Sequence, residues 1–161
     1  MMSSPVKASD GPPQIDAVPV AERLFTWPAA DPRLLGARCV PCGALTFPAA
    51  DACPRCGQTA MQDEELAAHG TLWTWTSQGF LPKAPYSGPQ TDAAFTPWVV
   101  AVVELPGQLR LEALLVDCAL EDCEVGLPVE LRIIPWGVTS DGQDRVSFAF
   151  APVQQGQGES A

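Results

Sequence analysis

Two short motifs constrain this chain more than anything else in it. They are Cys39-Val-Pro-Cys42-Gly43 and Cys53-Pro-Arg-Cys56-Gly57, with ten residues between the inner cysteines. A C-x-x-C step puts two thiolates on one side of a tight turn, where they occupy two corners of a tetrahedron. Two such steps complete a four-sulfur site for zinc, with Zn–S bonds of about 2.3 Å. The glycine after each pair tolerates a positive φ, which lets backbone N–H groups approach sulfur. Scattered cysteines are often buried small hydrophobes, but a repeated C-x-x-C-G argues against that reading here. Iron takes the same four ligands, and spacing does not separate the two metals. Four cysteines fill the coordination sphere, so the metal is expected to be structural rather than catalytic.

The rest of the 161 residues must supply a core. The length suits one compact domain plus a small metal module. There are 9 Lys+Arg against 19 Asp+Glu, a net charge of -10. That balance argues against nucleic acid, whose binding rests on basic side chains neutralising phosphates. It argues equally against an anionic membrane surface. Hydrophobic residues make up 47% and charged residues 17%, which excludes an acidic disordered chain. No apolar run approaches the roughly 20 residues of a membrane helix. The first 22 residues lack the apolar segment of a signal peptide. A cytoplasmic, reducing location is therefore expected, and with it free thiols rather than disulfides.

Along the chain, residues 1–20 hold four prolines among Ser, Gly and Asp and read as a disordered arm. Residues 21–36 are expected to form a short helical segment, with Leu24, Phe25 and Trp27 as its docking face. Pro28 and Pro32 prevent one long helix. Residues 37–60 are the metal module. From about residue 61 the pattern turns to period two. Stretches 71–77, 98–105, 109–115, 129–134 and 146–150 alternate or are β-branched, and read as five strands. Pro106-Gly107 marks a hairpin turn between the second and third. Five strands with one long connection, 79–97, fit a small closed barrel of OB type over 61–152, since closure removes exposed edges; a plain sandwich is the alternative. Residues 153–161 read as a disordered polar tail. The expected fold class is thus mainly β: a short helical segment, a four-cysteine zinc ribbon and a five-stranded OB-fold barrel.

The remaining chemistry-bearing residues have plain readings. Cys118 and Cys123 lie among acids that raise a thiol pKa, so they read as buried filler or turn residues rather than nucleophiles. His69, the only histidine, reads as a surface or loop residue for want of a visible carboxylate partner. Glu64-Glu65 and Glu121-Asp122 read as solvated loop charge. Trp73, Trp75, Trp98 and Trp136 lack the basic groove of a single-strand binder and read as core or apolar wall. One stretch stands apart. Residues 80–89, Phe-Leu-Pro-Lys-Ala-Pro-Tyr-Ser-Gly-Pro, are stiffened by proline and hold the only Tyr. Phe80, Lys83, Pro85, Tyr86 and Trp98 are candidates for a substrate channel or a partner-docking face; a simple cover over the barrel mouth is the alternative.

The order of motifs resembles a known family. Leu35-Gly36-Ala37-Arg38-Cys39 leads into the first knuckle, Phe47-Pro48 follows, then Cys53-Pro54-x-Cys56-Gly57, then Pro85-Tyr86, Val103-Glu104-Leu105-Pro106-Gly107, Val125-Gly126-Leu127-Pro128-Val129 and Val146-Ser147-Phe148-Ala149-Phe150. These marks are similar to those of the acyl-CoA-associated proteins that join a rubredoxin-like zinc ribbon to an OB-fold. The resemblance implies a non-catalytic subunit of a hetero-oligomer. Its expected partner is a thiolase-fold enzyme, such as an acyl-CoA thiolase or a lipid-transfer-protein-like aldolase. It also implies a CoA thioester as a ligand shared with that partner. The other functions left open are a nucleic-acid-binding zinc-ribbon/OB protein, which the charge disfavours, and a stand-alone acyl-CoA binder.

Overall fold

The computed structural model describes residues 15–86 and 88–154. Of the expected arm and tail, residues 1–14 and 155–161 lie outside the described residues. The part of the arm that is described is held in place. Val18–Pro19 form a short strand, β1, and the Trp27 Nε1–H donates to Ala17 O at 2.7 Å.

The expected helical segment at 21–36 is not formed. Among the described residues the only helical turns are two 3-10 turns, Asp92–Ala94 and Leu120–Asp122. Residues 21–36 instead double back as an irregular hairpin. Phe25 bridges Leu34, Thr26 N–H donates to Arg33 O at 2.8 Å, and Leu35 N–H donates to Leu24 O at 3.0 Å. The cause is in the sequence: Pro28 and Pro32 remove two amide donors and disfavour helical geometry in the residue before each. The apolar residues of the segment still do their work, since Leu24, Phe25 and Leu34 are all buried.

The metal module is a three-stranded antiparallel sheet of β2 (Leu35–Cys39), β3 (Leu45–Thr46) and β4 (Met61–Glu65), in the order β3-β2-β4. Its third strand therefore lies in the stretch expected to open the barrel. β4 reads Met-Gln-Asp-Glu-Glu and buries none of its residues, so it carries no apolar alternation to betray it.

The barrel is built from β5 (His69–Gln78), β6 (Trp98–Glu104), β7 (Arg110–Leu115), β8 (Pro128–Val138) and β9 (Asp144–Pro152). β5 pairs with β6, β6 with β7, β9 with β8 and β8 with β5, all antiparallel. A parallel contact, Leu115 with Phe150, joins β7 to β9 and closes the ring. Five strands and closure are as the alternation predicts. The inner face carries Leu72, Val99, Ala101, Val103, Leu115, Val129, Val146 and Phe150, all buried. The outer faces of β7, β8 and β9 are also apolar in part: Val116, Ile134, Ala149 and Ala151 form a second cluster, with Leu114 and Trp136 half-buried beside it. The ribbon docks on the barrel through the Phe47 ring, edge-on to Phe148 of β9 at 5.5 Å and 88°.

Phe150 is fully buried at the point where the ring closes, whereas Val125 is 73% exposed. Phe150→Ala is expected to cost about 3–5 kcal/mol, and Val125→Ala to stay within about 0.5 kcal/mol. Urea unfolding monitored by tryptophan fluorescence checks this; equal midpoints for the two variants would contradict the placement of the core.

Candidate metal centre and the β5–β6 loop

The two knuckles have the same backbone. Gly43 N–H donates to Cys39 O and Gly57 N–H to Cys53 O, both at 2.8 Å. Cys39 N–H returns to Ala44 O, and Cys53 N–H to Gln58 O, again at 2.8 Å. Gly43 and Gly57 have φ of 70° and 75°, the left-handed region that a side chain would strain. The glycine amides thus close each turn on a carbonyl. The N–H groups that face sulfur belong to Cys42, which faces Cys39, and to Cys56 and Arg55, which face Cys53.

The four thiol sulfurs of Cys39, Cys42, Cys53 and Cys56 all lie within 4.8 Å of one another. Cys39 and Cys56 are 3.5 Å apart at sulfur, and Cys42 and Cys53 are 3.6 Å apart. A tetrahedron with bonds of about 2.3 Å has edges of about 3.8 Å, so the cluster has the size of a four-sulfur zinc site. The electrostatics fit as well. The Cys56 amide, aided by that of Arg55, lowers the Cys53 thiol to about 7. Cys39 takes a hydrogen bond from the Cys42 amide, but burial and the surrounding sulfurs outweigh it and push its thiol up to about 12. Four thiolates this close repel one another, and a divalent cation removes that repulsion by displacing the protons. These residues would hold zinc as a structural ion, with all four positions taken by protein.

Charge surrounds the ribbon. Arg38 donates from Nε and Nη2 to both carboxylate oxygens of Glu64, at 2.5 and 2.6 Å, and from Nη1 to Gly43 O at 3.0 Å. The Arg38 hydrogen bond holds the Glu64 carboxyl below the usual range, against the effect of its partial burial. Glu64 was expected to be solvated loop charge; it is instead a strand residue bound to a partner 26 positions away. Arg23 reaches Asp51 at 2.8 Å and Asp63 at 2.7 Å, an exposed pairing of the kind worth little on its own.

The β5–β6 loop brings two of its candidate residues together. Tyr86 stacks on Trp98 with ring centres 6.0 Å apart and planes at 19°. Phe95, not singled out from the sequence, joins them 5.3 Å from the Trp98 ring. The Tyr86 hydroxyl is buried with no hydrogen-bond partner among the described residues. The ring lies directly over Gly88, where any side chain would collide with it. Lys83 and Pro85 are exposed, and Phe80 is 72% exposed. These three are not members of the stack.

Three plain readings are refined by the structure. Cys118 and Cys123 are buried, 3.8 Å apart at sulfur. Burial, then the neighbouring Cys118 and acids, push the Cys123 thiol up to about 12. His69 opens β5, exposed, with Nε2 3.6 Å from Glu130, so the carboxylate that sequence could not show is its cross-strand neighbour. The pair lies at a cavity of about 510 Å³ between residues 27–32 and β8. Trp75 packs on the core, while Trp73 faces outward under the Arg110 guanidinium at 4.2 Å, because the register shift between Leu72 and Thr74 falls at Trp73.

A four-sulfur ribbon docked on a closed five-stranded OB barrel defines the class of protein. Residues 26–62 match the ChsH2 rubredoxin-like zinc ribbon domain, and residues 63–133 the ChsH2 C-terminal OB-fold domain. A DUF35 domain-containing scaffold protein of Methanocaldococcus jannaschii is 30% identical over 125 residues, 75% of this chain and 82% of that one. The benzoylsuccinyl-CoA thiolase subunit BbsA of Thauera aromatica is 29% identical over 76% of this chain and 78% of its own length. The solved structure of an Ltp2-ChsH2(DUF35) aldolase matches with a TM-score of 0.55 and 30% identity, over 74% of this chain and 84% of that one. The chain belongs to the DUF35 family of zinc-ribbon/OB-fold scaffold proteins.

Three outcomes are expected. Cys42→Ser is predicted to lower bound zinc well below one per chain, read by elemental analysis. The Cys123 thiol, raised by burial, stays protonated up to about pH 12, so its contribution to stability is complete below the ordinary thiol value of 9 and fades as pH rises toward 12. In the zinc-loaded protein at pH 8, iodoacetamide is expected to spare Cys118 and Cys123 until denaturant is added; rapid native labelling would contradict their burial.

Proposed function

We propose that this protein is a non-catalytic subunit of an acyl-CoA thiolase or aldolase complex. In this reading it stabilises a thiolase-fold partner and helps to wall the acyl-CoA or intermediate channel. The observation that carries it is the pairing of a zinc ribbon and an OB barrel in one chain, shared over most of its length with a ChsH2-containing aldolase and with a thiolase subunit. The partner would supply the groups that make or break the C–C bond next to the thioester. This chain would supply a shaped surface.

The β5–β6 loop suits that task. It carries an exposed Phe80 and a cationic Lys83, and its Tyr86 stacks on Trp98. Stiff aromatic surface loses little conformational entropy on docking, and Tyr and Trp dominate the anchors of protein interfaces. A cytoplasmic location and a shared CoA thioester complete the proposal.

The test is a native pull-down of the tagged full chain from its own cells, with partners identified by mass spectrometry. A thiolase-fold protein at near-stoichiometric yield is expected, with acyl-CoA cleavage or condensation in the recovered complex. Phe80→Ala and Tyr86→Ala should reduce its recovery at least several-fold while leaving the zinc content unchanged. Recovery of the chain alone, or with nucleic acid, would overturn the proposal.

A further inference from the structure

The two knuckles share a backbone but not their surroundings. β2 alternates, so buried Cys39 and its neighbour Arg38 point to opposite faces of the ribbon sheet. On the Arg38 face, Gln62 lies directly across in β4 and Glu64, paired with Gly36, is the diagonal neighbour. Diagonal neighbours are within reach of long side chains. The Arg38 fork closes on both oxygens of Glu64, and its remaining nitrogen closes on Gly43 O in the first knuckle. That knuckle is therefore pinned twice, by its own Gly43-to-Cys39 hydrogen bond and by an arginine anchored to the neighbouring strand. The second knuckle has the internal bond, but among the described residues no side chain holds Gly57 O. The first cysteines of both knuckles, Cys39 and Cys53, are buried, but at the second position Cys56 is exposed where Cys42 is half-buried.

We propose that Arg38 and Glu64 are metal-retention residues that hold the first knuckle shut, so that zinc leaves through the opening of the Cys53/Cys56 knuckle. The guanidinium matters by its shape. A planar fork holds a carboxylate with two parallel bonds and still has a third direction for the carbonyl; an ammonium on a flexible stem does not fix all three at once. Groups behind the metal ligands set how long the ligands stay in place, and their loss typically weakens metal binding about 10–100-fold. The pair also reaches the barrel. Gln108, in the turn between β6 and β7, accepts the Ala67 N–H at 2.8 Å and helps to hold Glu64 ionised. Arg38 and Glu64 are thus positioning residues, linking the first knuckle to the ribbon–barrel junction.

The experiment follows zinc transfer from the loaded full chain to a chromophoric chelator in excess. Arg38→Ala and Glu64→Gln are each expected to speed release about 10–100-fold. The double variant should be no faster than the faster single one, because the two act as a unit. Arg38→Lys should remain fast, since it keeps the charge and loses the fork. Arg23→Ala removes exposed ion pairs on the same ribbon and should release zinc at the wild-type rate. Cobalt-substituted Arg38→Ala should keep its four-sulfur absorption bands, which separates faster release from misfolding. A measurement free of variants is amide hydrogen exchange on the zinc-loaded chain, where Gly43 should exchange more slowly than Gly57. Wild-type release from Arg38→Ala, rescue by lysine, or equal protection of the two glycines would overturn the proposal.

Discussion

The contact of four cysteine sulfurs, all within 4.8 Å, is the constraint on which the ribbon depends. Its sheet has strands of five, two and five residues, and β4 buries no side chain. Such a sheet has too little apolar area to hold itself together, and small modules of this kind draw their stability from the metal. The sulfurs tie its two hairpin turns into one unit. That unit then presents Phe47 to the barrel, while Leu34 and Leu66 carry the buried core across the junction. A closed four-sulfur site leaves no position for a substrate, which assigns the metal to architecture.

The barrel solves a different problem. Five short strands would expose edges, and the Leu115–Phe150 contact removes them by joining β7 to β9. The longest connection, residues 79–97, joins two strand ends that pair directly, Gln78 of β5 and Trp98 of β6. Within it Tyr86 stacks on Trp98, and Pro89 lies near Gly137 toward the end of β8. A rigid scaffold carrying one shaped loop is what a docking subunit requires.

What was legible in the sequence was local. Spacing singled out the four cysteines whose sulfurs the fold brings together, because a C-x-x-C-G turn is a self-contained geometry. Alternation located the five barrel strands to within a few residues, because one face of each is buried. The failures are non-local or set by competition between local rules. Leu24, Phe25 and Trp27 read as the docking face of a short helical segment, yet two prolines won; Leu24 and Phe25 are buried and Trp27 half-buried in a doubled-back segment. β4 was invisible because it is polar and only cross-strand pairing makes it a strand. Glu64 meets Arg38 through sheet register, and Phe95 meets Trp98 through the course of a loop; neither has a one-dimensional signal. Trp73 and Trp75 looked equivalent, but the register shift between Leu72 and Thr74 sends them to different environments.

The most direct measurement is zinc-edge X-ray absorption on the protein as isolated, with elemental analysis on the same sample. The account predicts one zinc per chain, four sulfur neighbours at about 2.3 Å and no oxygen or nitrogen scatterer in the first shell. Fewer sulfurs together with a bound water would contradict it, since an open metal position would move chemistry from a partner onto this chain.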